Sequence, residues 1–86
     1  GRFQHFPARP NPIGASTFIG FHQPSGGAVA LTLTDPAGRV VKQMQGDFGP
    51  GYGAFEVKRE YFGAAGLYFY VLQANQGTGT GKLVLE

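Results

Sequence analysis

The 86-residue chain has no cysteine and no tryptophan, and only 14% of its residues are charged. Without cysteine, no disulfide reinforces the core, and both thiol catalysis and a cysteine-rich zinc site are excluded. Its apolar runs are far shorter than the ~20 residues that a membrane helix needs, and its 15 glycines lack the triplet period of collagen. A hydrophobic content of 42% with a net charge of +2 also excludes a wholly disordered chain. What remains is one small folded domain.

The side chains that carry chemistry are few and scattered. Of the basic residues, only Lys58 and Arg59 are adjacent, whereas nucleic-acid-binding proteins cluster lysine and arginine on one face. His5 and His22 lack the spacing of a metal-ligand pair, and no nucleophile-elbow pattern surrounds either serine. We therefore predict a protein that is not an enzyme, has no cofactor or metal, and does not bind nucleic acid.

Two local patterns imitate binding sites. The glycine-rich run Gly77–Lys82 resembles a phosphate loop, but it lacks the first glycine and the final Ser or Thr of that motif. The run Tyr68–Tyr70 resembles an aromatic stacking platform for carbohydrate or nucleic acid, but it falls within the most apolar predicted strand. We expect the first run to be structural and the second to belong mainly to the core.

Alternation of apolar and polar residues predicts β-strands along most of the chain. In residues 28–34, Val29, Leu31 and Leu33 fall on one face and small polar residues on the other. Strong turn sequences separate the strands. Further strands are predicted at residues 15–23, 39–45, 54–59, 67–74 and 78–86.

Two segments of this pattern are irregular. In the strand at 39–45, the inward candidates Val41 and Met44 are three residues apart, which predicts either a bulge or a twist in mid-strand. The segment Gly46–Gly53 contains four glycines and a proline and predicts a long connection between strands.

Short strands at this spacing predict an all-β fold, an immunoglobulin-like antiparallel β-sandwich of about seven strands. We expect residues 11–86 to form this single domain. Residues 1–10 are expected to be either an extended N-terminal arm or the first strand, with Phe3 and His5 on one side and Gln4 and Phe6 on the other. Because the chain begins at Gly1 instead of Met, we expect a processed product or a fragment of a longer protein.

Short motifs follow one another in a fixed order from residue 10 to the end of the chain. They are Pro10-Asn11-Pro12-Ile13, the turn with Asp35, Gly38 and Arg39, the strand opening with Gly66, Leu67 and Tyr68, and the ending Lys82-Leu83-Val84-Leu85. In this order and spacing the chain resembles the C-terminal sorting domain of cargo proteins exported by the type IX secretion system of Bacteroidetes-type bacteria.

The resemblance implies a non-catalytic module that directs an attached cargo to an outer-membrane translocon. Such a protein passes through the periplasm and ends secreted or at the cell surface. An apolar strand at the chain end can be presented to a receptor by strand addition. The residues expected to be recognised by the translocon are Lys82, Leu83, Val84, Leu85 and Glu86.

An alternative function uses the same fold as building material. The few surface charges do little to keep copies apart, and edge strands are templates for pairing with another chain. The segment Phe3, Gln4, His5 and Phe6 precedes a proline-rich connector and is a candidate strand for donation to a neighbour's sheet. Identical subunits would then form an extracellular filament or surface layer.

Overall fold

The computed structural model describes residues 2–86, which form seven β-strands and one turn of 3-10 helix. Gly1, the first residue of the expected N-terminal arm, lies outside the described residues. The strands are β1 (Gln4–His5), β2 (Ser16–Gln23), β3 (Gly27–Thr34), β4 (Val40–Phe48), β5 (Gly51–Lys58), β6 (Gly66–Ala74) and β7 (Gly77–Leu85), and the 3-10 turn is Arg59–Tyr61.

The strands form two antiparallel sheets that face each other. One sheet has the order β1-β2-β5 and the other has the order β4-β3-β6-β7. This arrangement confirms the predicted all-β, immunoglobulin-like antiparallel β-sandwich of seven strands. β6 lies between β3 and β7, so the most apolar stretch of the sequence is a central strand, as predicted.

The core fills the space between the sheets and follows the alternation of the sequence. Val29, Leu31 and Leu33 are completely buried, as their period of two predicts. From the same sheet, Tyr68 and Tyr70 also point inward and are only 7% and 2% exposed. Their burial confirms that these two tyrosines belong to the core.

An aromatic cluster occupies the part of the core where β2, β4 and β5 approach one another. The ring of Phe21 meets that of Phe48 edge-on, with 4.9 Å between centroids, and lies 6.1 Å from that of Phe55. Gly53 lies directly beneath these rings, because a Cβ atom there would come within 2.7 Å of Cζ of Phe21. Glycine in this strand therefore makes room for the cluster.

The predicted long connection at residues 46–53 is wrong. Gly46–Phe48 complete β4 and Gly51–Gly53 begin β5, so only two residues, Gly49 and Pro50, join the two sheets. Glycine is a common turn residue, but two glycines of this segment, Gly46 and Gly53, instead allow close contact with aromatic rings.

The bulge predicted within residues 39–45 exists, but it is not in mid-strand. The register shifts where Leu33 pairs with Lys42 and Thr34 pairs with Val40, which leaves Val41 as the extra residue. The irregularity therefore lies at the start of β4, next to the preceding turn, and the rest of the strand pairs regularly with β3.

Candidate interaction edge of the terminal strand

The terminal strand β7 lies at the edge of the four-stranded sheet. It pairs with β6 along its whole length, from Gly77 opposite Ala74 to Leu85 opposite Gly66. Its other side has no neighbouring strand of the same sheet among residues 2–86. Of the residues expected to be recognised, Leu83 is fully buried and Leu85 is 4% exposed. These two leucines anchor the strand in the core, so the accessible parts of the strand are its outer backbone edge and its other side chains.

The side chain of Asn11 covers part of this edge. Its Nδ2 donates a hydrogen bond to the carbonyl oxygen of Lys82 at 3.0 Å, and its Oδ1 accepts one from the backbone N–H of Val84 at 2.9 Å. The backbone N–H of Ile13 then donates to the carbonyl oxygen of Val84 at 2.9 Å. The Pro-Asn-Pro segment thus takes the place of a neighbouring strand over residues 82–84. The partners are more than 70 positions apart in the sequence.

A second set of contacts fixes this segment and the end of the chain. The guanidinium of Arg59 donates to the carbonyl oxygen of Ile13 at 3.1 Å through Nη1 and to the carbonyl oxygen of Glu86 through Nη2. The hydroxyl of Thr17, which is fully buried, donates to the carbonyl oxygen of Pro10 at 2.7 Å. Arg59 therefore ties both the Pro-Asn-Pro segment and the terminal residue to the body of the sandwich.

The edge of β7 has a second part that Asn11 does not reach. In an antiparallel strand, alternate residues direct both N–H and C=O to the same side. The backbone N–H and C=O of Val84 both point to the side of β7 away from β6. The backbone N–H and C=O groups of Lys82, Thr80 and Thr78 therefore point to the same side. Within residues 2–86, the backbone groups of Thr78 and Thr80 have no hydrogen-bond partner on this side.

The segment proposed for donation lies against its own sandwich. Gln4 pairs with His22 and His5 with Phe21, and the ring of Phe3 stacks on that of Phe21 at 6.1 Å. The two sides of the segment alternate as expected, because Phe6 faces away and stacks with Tyr52.

Two inward-facing glycines of β7 provide the space for this segment. A Cβ atom on Gly77 would lie 3.0 Å from Cβ of Phe3, and one on Gly79 would lie 2.5 Å from Cδ2 of His5. Both glycines belong to the run that imitates a phosphate loop. Glycines at alternate positions of a predicted strand are a sequence signal for such a close backbone approach.

A small cavity separates the N-terminal segment from the open part of the β7 edge. Its volume is about 140 Å³, and its walls include His5, Ala8, Asn11, Tyr70, Thr80 and Lys82. Ligand pockets for small molecules usually span about 300–1,000 Å³, so this one fits a single side chain. Burial raises the pKa of Tyr70, which keeps its hydroxyl protonated and able to donate to the carbonyl oxygen of Phe6 at 3.5 Å.

A wider and shallower depression lies on the outer face of the same sheet. Its volume is about 540 Å³, and Phe69, Val71, Thr80 and Lys82 contribute to its walls. Phe69 is thus the one residue of the Tyr68–Tyr70 run that faces outward. The depression is open to solvent and holds no carboxylate or histidine.

The remaining motif residues shape turns. The carboxylate of Asp35 accepts hydrogen bonds from the backbone N–H groups of Ala37 and Arg39 and from Nε of Arg39, each at 2.9 Å. The hydrogen bond from the Arg39 backbone lowers the pKa of Asp35 below its usual value, and the guanidinium adds to the effect. Gly38 has a φ of +87°, which favours glycine.

The last two of these motif residues, Gly66 and Tyr68, lie at the start of β6, next to the corner that precedes it. Gly66 has a φ of +144°, and the hydroxyl of Tyr68 donates to the carbonyl oxygen of Ala64 at 2.7 Å. These contacts fold the chain back on itself at the start of the central strand. Both residues therefore support the corner rather than line the edge of β7.

Among residues 2–86, no group of three or more His, Asp and Glu side chains is arranged to hold a metal ion. The same residues contain no helix with the length and apolar character needed to cross a membrane. Comparison of the chain with protein-family models, with curated proteins and with solved structures finds no match.

Proposed function

We propose that this chain is a non-catalytic sorting module, which directs an attached cargo to an outer-membrane translocon of the type IX kind. The cargo passes through the periplasm and ends secreted or at the cell surface. The translocon recognises the terminal strand β7. The observation that carries this proposal is the contact between Asn11, from the first motif of the series, and Lys82 and Val84 in the last.

Through this contact the first and last motifs of the series together position the terminal strand. The Pro-Asn-Pro segment and Arg59 hold the terminal strand at the edge of a sheet, where its backbone is accessible. Leu83 and Leu85 fix the strand in the core, so Lys82 and Glu86 are displayed at a constant position. A receptor that adds a strand requires such an edge.

The test is a secretion assay in a bacterium with a type IX system. A periplasmic reporter fused ahead of the 86 residues is compared with the same fusion lacking residues 82–86. Since the deletion also removes Leu83 and Leu85 from the core, a second fusion carries only Lys82→Glu and Glu86→Lys, which exchange the displayed charges. We expect both altered fusions to remain in the periplasm. Secretion of both at the level of the unaltered fusion would refute the proposal.

Self-assembly is the second candidate function, and the attachment of β1 favours it. Within the segment, Gln4 and His5 pair with β2 and the N–H of Phe6 donates to the carbonyl oxygen of Gly20. The next backbone contact with β2 is the bridge between Arg9 and Phe18. The segment is therefore held by few backbone contacts and is suited to exchange between copies. The test is electron microscopy of the chain with and without residues 1–6. We expect filaments only when the segment is present. Filaments that persist without it would eliminate strand donation, and a monodisperse monomer would disfavour assembly altogether.

A further inference from the structure

We propose that the open part of the β7 edge, from Thr78 to Lys82, is a strand-addition site for an extended acidic segment of a partner protein. Asn11 already forms hydrogen bonds with the adjoining backbone of residues 82–84. The added strand therefore ends where these hydrogen bonds begin. This inference rests on the proposed function, because the partner is the receptor that recognises the sorting module.

The backbone supplies the first argument. Thr78 and Thr80 direct their N–H and C=O groups toward the free edge, and the N–H of Lys82 follows in the same row. The carbonyl of Lys82 and both backbone groups of Val84 are already bonded to the Pro-Asn-Pro segment. An incoming strand therefore finds a continuous row of donors and acceptors that stops at Asn11.

The cavity supplies the second argument. It lies directly beside Thr80, between His5 and Asn11, and has room for a single side chain. In strand addition, main-chain hydrogen bonds provide affinity and pockets for alternate side chains provide specificity. One side chain of the added strand can enter this cavity.

Charge supplies the third argument and identifies the partner. Residues 2–13 and 77–86, which flank the edge, carry Arg2, Arg9 and Lys82 against one acidic side chain, that of Glu86, and so hold the whole net charge of +2. The intervening residues 14–76 carry four basic and four acidic side chains, which cancel. The positive charge of the chain is therefore concentrated on the segments around the open edge, which favours an acidic partner.

The same charges argue against a second copy of this chain as the occupant. The other edge strands among residues 2–86 are β1, β4 and β5. β1 has no carboxylate, in β4 Lys42 is offset by Asp47, and in β5 Lys58 is offset by Glu56. None of these edges offers net negative charge to the basic segments around β7.

The experiment titrates the full chain, labelled with ¹⁵N, with capped peptides and follows its amide signals. The probe is Thr-Glu-Val-Thr-Val-Glu-Thr, and the matched control has lysine in place of both glutamates. We expect the acidic peptide to bind on the order of tenfold more tightly at low salt. It should slow hydrogen exchange at the amides of Thr78 and Thr80. Equal binding of the two peptides, or binding that leaves these amides unprotected, would overturn the proposal.

Variants at one position separate backbone pairing from side-chain effects. Thr80→Pro removes the N–H donor at an edge where proline is tolerated, whereas Thr80→Val keeps the donor and the β-branched shape. We expect loss of peptide binding in the first variant and retention in the second. If Thr80→Pro lowers the melting temperature substantially, Lys82→Glu provides the independent test, because it should weaken binding of the acidic peptide while leaving the hydrogen-bonding row intact.

Asn11→Ala tests where the added strand ends. Since it uncovers the N–H of Val84, the peptide should also protect that amide, which it cannot reach in the unaltered chain. Protection of Thr78 that rises with protein concentration in the absence of peptide would show that a second copy occupies the edge, and the proposal would be wrong. The secretion assay distinguishes the two proposals. If a fusion with Thr80→Pro is secreted normally while the exchange of charges at residues 82 and 86 blocks secretion, the proposed strand-addition site is wrong and the sorting function is supported.

Discussion

Substitution of Gly79 by alanine should weaken the attachment of the N-terminal segment to its own sandwich. A Cβ atom at this position would lie 2.5 Å from Cδ2 and 2.8 Å from Nδ1 of His5, well inside van der Waals contact. Either the imidazole moves or β1 separates from β7. The ring is exposed at the surface, so movement is feasible, but it displaces a residue that is in register with Phe21.

The size of the effect follows from two opposing contributions. Inserting a methyl group into a packed contact costs about 1–3 kcal/mol, whereas replacing glycine by alanine in an ordinary conformation recovers about 0.4–1 kcal/mol from the unfolded chain. The net loss should be about 1–2 kcal/mol. In a domain of this length each kcal/mol lowers the melting temperature by about 4–8 °C.

The assay is thermal unfolding of the unaltered chain, Gly79→Ala, His5→Ala and the double variant, which together form a double-mutant cycle. Gly79→Ala should be less stable than the unaltered chain, and adding His5→Ala should recover most of that loss because the colliding ring is removed. Gly63→Ala is the matched control, since nothing lies within 4 Å of its Cβ position. A Gly79→Ala variant as stable as Gly63→Ala, or simple additivity of the effects of Gly79→Ala and His5→Ala, would contradict a collision between these two residues.

Two further predictions concern other parts of the fold. Gly53→Ala should lower the melting temperature by more than Gly79→Ala does, because its methyl group meets the fully buried ring of Phe21 at 2.7 Å; equal or smaller losses in thermal unfolding would contradict this. Since the pKa of Asp35 is lowered from 3.8, its carboxylate stabilises the turn above that pH. The stability difference between the unaltered chain and Asp35→Asn should therefore be fully present at about pH 7 and shrink as the pH falls below 3.8 and through the lowered pKa, as denaturant unfolding at each pH will show.

The parts of the fold that depend on period two could be predicted from the sequence. Val29, Leu31 and Leu33 alternate with small polar residues, and such alternation fixes which face is buried without knowledge of the partner strand. The turn at Asp35–Gly38 is equally local, because its side-chain hydrogen bonds span no more than four residues. The buried face of a strand and the shape of a turn can therefore be predicted from the residues of that strand or turn alone.

The glycines show where such prediction fails. Gly38 in a turn and Gly53 in a strand are the same residue type, yet the first allows a positive φ and the second makes room for Phe21. The second role depends on a ring from another strand, which the local sequence does not contain. For the same reason, the hydrogen-bond partners of Asn11 and Arg59 could not be identified from the sequence around these residues, because those partners lie far away in the chain.

The docking of β1 limits how the two proposed functions can coexist. A donated segment must displace the recipient's own Phe3–Phe6 from its position beside β2 and the glycines of β7. The short connector Pro7–Pro12 tethers that segment to the same chain. Tethering through a short linker gives an effective concentration in the millimolar range, so a free copy at micromolar concentration competes poorly. Exchange then requires either very concentrated protein or removal of the recipient's own segment. In dilute solution each copy therefore keeps its own Phe3–Phe6 segment bound. The open edge of β7 is not covered by that segment and remains accessible to a partner.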